Sequence, residues 1–197
     1  MKKKIFIIFI FLFALTNNVY AYSSDPKLFI AEIVNEAKKI LVETNSREFK
    51  TKKLSEIALN TVDIKGVAFY SIGKYRKELN EEQLKKYLEL FEKYFLKSFT
   101  SRLTDYSDPK IDVMSAEVIN SKYTIVSSLL LATDKRPEVK IDWRVYTKNP
   151  DKPLIRDLII EGLSLARTQK EEFTSVIESN NGDVSKLFVT LEEFIAK

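Results

Sequence analysis

The sequence predicts an α+β fold: a four-stranded antiparallel, curved sheet with N-terminal and C-terminal helices packed over one face. Three observations predict it. Apolar residues repeat at three- and four-residue spacings from Glu81 to about Leu103. After Asp108-Pro109 the pattern switches to four short runs rich in β-branched residues, divided by turn signals. Helical spacing then returns after Gly162. Helices, then consecutive strands, then helices read as α+β.

The first segment is set aside before the fold is read. Lys2, Lys3 and Lys4 precede an apolar run from Ile5 to Leu15, and Val19 and Ala21 give the small residues of a cleavage site, V-Y-A. Residues 1–21 therefore read as a secretory signal peptide. A membrane anchor is the rival reading, but the run falls short of the roughly 20 residues a spanning helix needs. Residues 22–197 are expected to form a single domain, long enough to bury a core of its own.

Within that domain, Asp25-Pro26 reads as an N-cap followed by proline at the first helical position. Leu28, Ile30, Ala31, Val34, Ala37, Ile40 and Leu41 then carry a helix to about Glu43. A second helix is expected from Arg47 to Asn60, with Phe49, Leu54, Ile57 and Ala58 as its apolar side. Asp63 caps a third that ends near Gly73. Asn80 with Gln83 resembles a capping box and opens the strongest helix of the chain. Its stripe is Leu84, Tyr87, Leu88, Phe91, Tyr94, Phe95, Phe99 and Leu103, with Leu90 and Leu96 lying beside it, so this helix is expected to touch structure on more than one side.

The strands are expected at Lys110–Ile119, Tyr123–Thr133, Glu138–Tyr146 and Pro153–Ile160. In the third, Val139, Ile141, Trp143 and Val145 alternate with Lys140, Asp142, Arg144 and Tyr146, so one side of the sheet is expected to meet water. Short connections imply an antiparallel meander. Two further helices, from about Ser164 to Glu178 and from about Asp183 to Ala196, flank the break N-N-G-D.

Composition excludes several chemistries. The chain has no His and no Cys, which removes a Ser-His-Asp triad, a thiol nucleophile, disulfides and zinc sites built on imidazole or thiolate. Without residues 1–21 the balance is 29 basic against 28 acidic residues, so charge gives no support to nucleic-acid binding. No cofactor is implied. Nine Phe and eight Tyr remain, an aromatic-rich complement.

Several places invite a functional reading. At the end of the last strand, Glu161, Gly162 and Ser164 stand where a hydrolase carries its nucleophile, but Ala166 replaces the second glycine of such an elbow and no His is present. Gly162 as a sharp turn and Ser164 as a helix cap explain the same residues. Ser71 and Lys74 have the spacing of a Ser-Lys dyad. Lys50-Lys52-Lys53 and Lys74-Arg76-Lys77 are basic clusters that read either as solvated helix faces or as contacts for anionic headgroups. The broad aromatic stripe of the long helix reads either as plain core or as one wall of an apolar cavity against a concave sheet.

The order of these segments resembles a known family. Val62-Asp63 is followed ten residues later by Gly73-Lys74-Tyr75-Arg76; Phe91 leads through Ser101-Arg102-Leu103 to Tyr106; and Asp157 leads through Glu161-Gly162-Leu163-Ser164-Leu165 to Phe173. In this order and spacing the chain resembles the periplasmic phospholipid-binding MlaC family, also called toluene-tolerance auxiliary proteins. Lys77, and Gly66 in the third helix, depart from the larger residues common there. The resemblance implies a lipid-binding domain over residues 22–197 that encloses an apolar cavity for the acyl tails. It implies no enzyme, but a monomeric periplasmic carrier of glycerophospholipid. Such a carrier exchanges lipid with an inner-membrane ABC transporter complex, through its MCE-domain ring, and with an outer-membrane lipoprotein–porin assembly, and so maintains outer-membrane lipid asymmetry. The candidate lipid-binding residues are then Val67, Ile72, Tyr75, Leu88, Phe91, Phe95 and Phe99 from the helices and Val126, Leu130, Ile141, Trp143 and Val145 from the sheet. The alternatives are an envelope lipid hydrolase using Ser71 and Lys74, and a protein-binding envelope module with a filled core.

Overall fold

A computed structural model describes residues 22–134 and 136–197; the expected signal peptide lies outside them. Four helices come first: α1 (Pro26–Val42), α2 (Arg47–Thr61), α3 (Ile64–Ile72), which tightens into a 3-10 turn at Gly73–Lys77, and α4 (Glu81–Leu103). The caps at Asp25, Asp63 and Asn80 are those the sequence announces, and the structure adds Ser46 at the start of α2. Asp25 accepts from the Leu28 N–H and Ser46 from the Phe49 N–H. Asn80 and Gln83 bond reciprocally, a full capping box that satisfies two orphan donors at the start of α4.

Asp63 caps α3 by accepting from the Gly66 N–H at 2.9 Å. A Cβ on residue 66 would collide with that same carboxylate. Gly66 therefore makes room for the Asp63 side chain, which must also meet Arg156 of the sheet, and the departure from larger residues has a local cause.

The sheet is a meander in the order β1 (Ile111–Asn120), β2 (Tyr123–Leu130), β3 (Val139–Tyr146), β4 (Leu154–Ile160) and β5 (Leu163–Ser164), all neighbours antiparallel. The expectation of four strands falls short by β5. Two residues are too few to show an alternation. Glu161 and Gly162 both adopt positive φ, 48° and 81°, as the two-residue hairpin turn between antiparallel strands requires. The corner is thus a hairpin first and a helix entry second. α5 (Leu165–Glu178) and α6 (Val184–Ala196) complete the chain.

Both lateral edges of the sheet are managed. At β4, β5 covers one end, and the other is bridged by Val62, with the Asp63 N–H donating to the Ile155 carbonyl. At β1 the outer edge is unpaired within the sheet, and the register shifts twice, at Met114 and at Ile119.

Two hydrophobic cores result. One lies among α3, α4, α5 and α6, around Tyr87, Phe91, Phe173, Ile177, Leu187 and Phe188. The other sets Phe29, Ile30, Ile33, Leu41, Leu54 and Ile57 of α1 and α2 against Val126, Val145 and Ile155 of the sheet. Val62 borders both. The first stripe sits slightly off the expected one: Phe29 and Ile33 are buried while Leu28 is 56% exposed. Phe49 is likewise on the surface.

Tyr87 is fully buried, lies near-parallel to Phe188 with centroids 6.3 Å apart, and donates to the Ala68 carbonyl at 2.8 Å. Burial holds its phenol well above the usual tyrosine value. A raised acid pKa means that the folded state keeps its proton longer than the unfolded state. Stability is therefore complete below about pH 10 and falls as pH rises beyond the unfolded value. Tyr87→Phe is expected to cost about 1 kcal/mol at neutral pH, through the lost hydrogen bond, and to flatten the decline in urea midpoint above pH 10.

Candidate functional site

α4 connects the two cores, and its geometry explains how. Tyr87, Phe91, Phe95, Phe99 and Leu103 follow one another at i, i+4 spacing. Each step turns about 40° beyond a full turn, so the series winds around the helix as it climbs. Tyr87 and Phe91 lie in the helical core, while Leu103 packs against the core of α1, α2 and the sheet. Phe95 and Phe99 stand between them, half-buried. Their rings are near-parallel, 5.9 Å apart at 6°, and Phe95 also lies 6.3 Å from Phe91 at 19°. From Tyr94 to Phe99 every side chain is half-buried, as a helix touching structure on several sides requires.

The apolar side of the sheet follows from register. Val126 opposes Trp143, Trp143 opposes Leu158, and Ile141 opposes Ile160, so these residues share a face. Val126 is buried in the sheet core and Trp143 packs at its border. Trp143 Nε1 donates to the Ser128 hydroxyl at 2.9 Å, and that hydroxyl donates to the Ile141 carbonyl at 3.1 Å, which fixes the indole on the face. Ile141, Leu158 and Ile160 are half-buried yet belong to neither core. The same holds for Leu130, Val139 and Phe99. These six apolar side chains are therefore used by neither core.

The twelve sequence-derived residues do not converge on one spot. Val67, Ile72, Tyr75 and Phe91 are buried in the helical core, with Leu88 and Phe95 packed on its border. Val126 and Val145 are buried in the sheet core, with Trp143 on its border. Phe99, Leu130 and Ile141 are half-buried and belong to neither core. Leu158 and Ile160, which are not among the twelve, share the face of Trp143 and Ile141, and their alternation is hidden in the run Leu158-Ile159-Ile160. Their register partners Trp143 and Ile141 were the available signal.

Two hollows open elsewhere, and none of the twelve lines either. One is a groove of about 760 Å³ between α3 and α5, lined by Tyr70, Arg167, Lys170, Glu171, Thr174, Ser175, Glu178 and Ser179. The other is a smaller crevice of about 200 Å³ among α4, α5 and α6, lined by Phe173, Val176, Leu191 and Phe194 with Tyr94 at its wall. Burial, aided by the nearby Glu172, raises the Tyr94 phenol above its ordinary value, and its hydroxyl donates to Gln169 Oε1 at 2.7 Å.

The polar side of the sheet is built around a bulge. Arg144 opposes Asp157 while Val145 opposes Ile155, so Arg156 is an extra residue in β4. Its guanidinium pairs with Asp63 at 2.6 Å, donates to the Tyr123 hydroxyl at 2.9 Å, and lies 3.5 Å from the Tyr146 ring centroid. Asp157 is buried and accepts from the Ser164 hydroxyl at 2.6 Å, the Ala166 N–H at 2.9 Å and Arg144 at 3.3 Å. This side of the sheet, expected to face water, is thus covered in part by the start of α5 and by the α2–α3 junction.

The hydrolase readings find no geometry. Ser71 is fully buried and donates to the Val67 carbonyl of its own helix, while exposed Lys74 reaches Glu178. Ser164 caps α5, accepting from the Arg167 N–H, and gives its proton to Asp157. Glu161 accepts from the Lys140 N–H across the sheet. Among the described residues no group of acidic side chains could hold a metal ion, and no helix is long and apolar enough to cross a membrane.

A family model described as MlaC protein matches residues 31–193. The fold is similar to that of a solved phospholipid-binding protein from Ralstonia solanacearum, determined in complex with a phospholipid. The TM-score is 0.73 at 20% identity, over 88% of this chain and 97% of that one. No curated protein matches the chain.

Proposed function

The chain belongs to the MlaC family, and from that membership we propose that it is a periplasmic phospholipid carrier that takes acyl chains into the seam between its two cores. The observation that carries this reading is the set of apolar side chains that neither core uses: Phe99 of α4, with Leu130, Val139, Ile141, Leu158 and Ile160 of the sheet. Half-buried apolar groups that two packed cores leave unused are the surface a hydrocarbon chain would complete. The similar protein from Ralstonia solanacearum, bound to a phospholipid, supports the same ligand class.

The energetics define the task. At about 0.8 kcal/mol per buried methylene, two tails of roughly 15 methylenes each are worth about 24 kcal/mol against water. A bilayer offers nearly the same. The carrier therefore competes only if its interior is comparably dry, and parting two existing cores along an apolar seam provides such an interior without exposing polar backbone. Headgroup recognition then contributes little. In this reading the protein exchanges lipid with the inner-membrane ABC transporter complex and its MCE-domain ring, and with an outer-membrane lipoprotein–porin assembly. Residues 1–21 direct its export, and the exchange maintains outer-membrane lipid asymmetry.

Native mass spectrometry of the protein purified from a diderm host tests the reading. A protein mass increased by that of a glycerophospholipid is expected. Protein that carries no lipid, and that also fails to take any up from vesicles after delipidation, overturns it.

A further inference from the structure

The two basic clusters of the sequence have different fates. In the first, Lys50 donates to the Leu41 carbonyl and Lys53 pairs with Glu56, so the fold consumes both. In the second, Lys74 pairs with Glu178, but Arg76 and Lys77 meet no carboxylate among the described residues. The fold then brings them further company. Lys65 of α3 and Arg76 both sit over the Phe69 ring, at 5.7 and 4.9 Å. Lys170 of α5 sits 5.3 Å from the centroid of Tyr70, which is 45% exposed, and Arg167 lines the same groove. Gly73, at φ 58°, lacks the Cβ that would press on the Lys170 stem at 3.2 Å, so the corner after α3 can close on α5.

We propose that this face, formed by α3, the 3-10 turn and α5, docks the protein on membrane surfaces rich in anionic phospholipid. Five cations, Lys65, Arg76, Lys77, Arg167 and Lys170, have no ion-pair partner among the described residues. The acidic groups on the same face are fewer: Glu178 is committed to Lys74, and Glu78, Glu171 and Glu172 remain. The surplus complements phosphodiester charge. The groove adds the hydroxyls of Thr174 and Ser175, which can donate to phosphate oxygens. Half-exposed aromatic rings with cations seated on them suit the headgroup layer, where amphipathic rings and basic side chains accumulate. An acidic protein is the competing partner. The membrane is favoured because the cations are spread over three elements around exposed rings rather than gathered in one fork-like site. The proposal concerns an outer surface and stands whether or not lipid is carried inside.

Vesicle co-sedimentation tests it, with the full mature chain and two vesicle compositions: zwitterionic phosphatidylcholine alone, and phosphatidylcholine with a third phosphatidylglycerol. Binding to the anionic vesicles alone is expected, and it should disappear in high salt. The variant Lys65→Glu/Arg76→Glu/Arg167→Glu should lose at least about 100-fold in affinity, taking each removed cation as worth roughly fivefold before the repulsion of the new carboxylates. The variant Lys52→Glu/Lys148→Glu/Lys152→Glu makes the same charge change elsewhere and should bind as the parent does. Circular dichroism confirms that both fold. Equal losses in the two variants, equal binding to both vesicle types, or no binding to anionic vesicles at low salt would overturn the proposal; the last would assign the face to an acidic protein partner. Loss of vesicle docking with retained internal lipid separates this surface from the acyl-chain seam.

Discussion

Phe95→Asp is expected to yield a folded protein that retains no phospholipid. Phe95 is half-buried, between Phe91 in the helical core and half-buried Phe99, which belongs to neither core. Its partial exposure lets a polar replacement turn outward, so the fold survives. In the loaded state the same side chain would face methylenes and no hydrogen-bond partner. Burying an uncompensated polar group costs at least about 3 kcal/mol, which is more than a hundredfold in lipid affinity. Phe95→Arg should act alike, whereas Phe95→Leu should keep most of the lipid, because it stays apolar. Native mass spectrometry reads lipid content and circular dichroism reads the fold. Unchanged lipid content in folded Phe95→Asp would remove this residue from the site.

The second large effect is on stability. Asp157→Ala deletes the acceptor of three donors at once: the Ser164 hydroxyl, the Ala166 N–H and the Arg144 guanidinium. The Ala166 N–H is the decisive one. It lies in a buried residue at the first turn of α5, where no intrahelical carbonyl can replace the carboxylate. Arg144 is 41% exposed at its side chain and can turn to water, so its loss counts for less. The total is expected at about 3 kcal/mol, a large share of a stability of roughly 5–15 kcal/mol. Urea denaturation should show a lower midpoint at unchanged slope. Asp157→Asn retains an acceptor oxygen and should lose less. A midpoint for Asp157→Ala within error of the parent would mean that α5 is held by its apolar face alone.

Much of the fold was legible because its signals are local. The caps at Asp25, Asp63 and Asn80 name the starts of three helices to the residue. The alternation from Val139 to Val145 gives β3 and its apolar side directly. What escaped was set by distant partners. β5 is two residues of pairing that only β4 defines. The bulge at Arg156 is invisible until β3 lies beside it, yet it carries the pair to Asp63. The site was legible only in kind. Apolar spacing marks Phe91 and Phe99 alike, but Phe91 fills a core and Phe99 is left half-buried outside both. Periodicity reports which side of a helix avoids water; it does not report whether protein or ligand will cover it.

The unpaired rim of β1 has its own consequence. Val118, at 74% exposure, with Met114 and Ile119 would make a straight strand adhesive to its own kind. Two dislocations in the ladder, at those last two residues, bend the rim so that a neighbouring molecule cannot zip onto it. The two bulges therefore guard against edge-to-edge pairing of copies, and straightening the strand by deleting Met114 and Ile119 is expected to turn the molecule toward fibrous self-association.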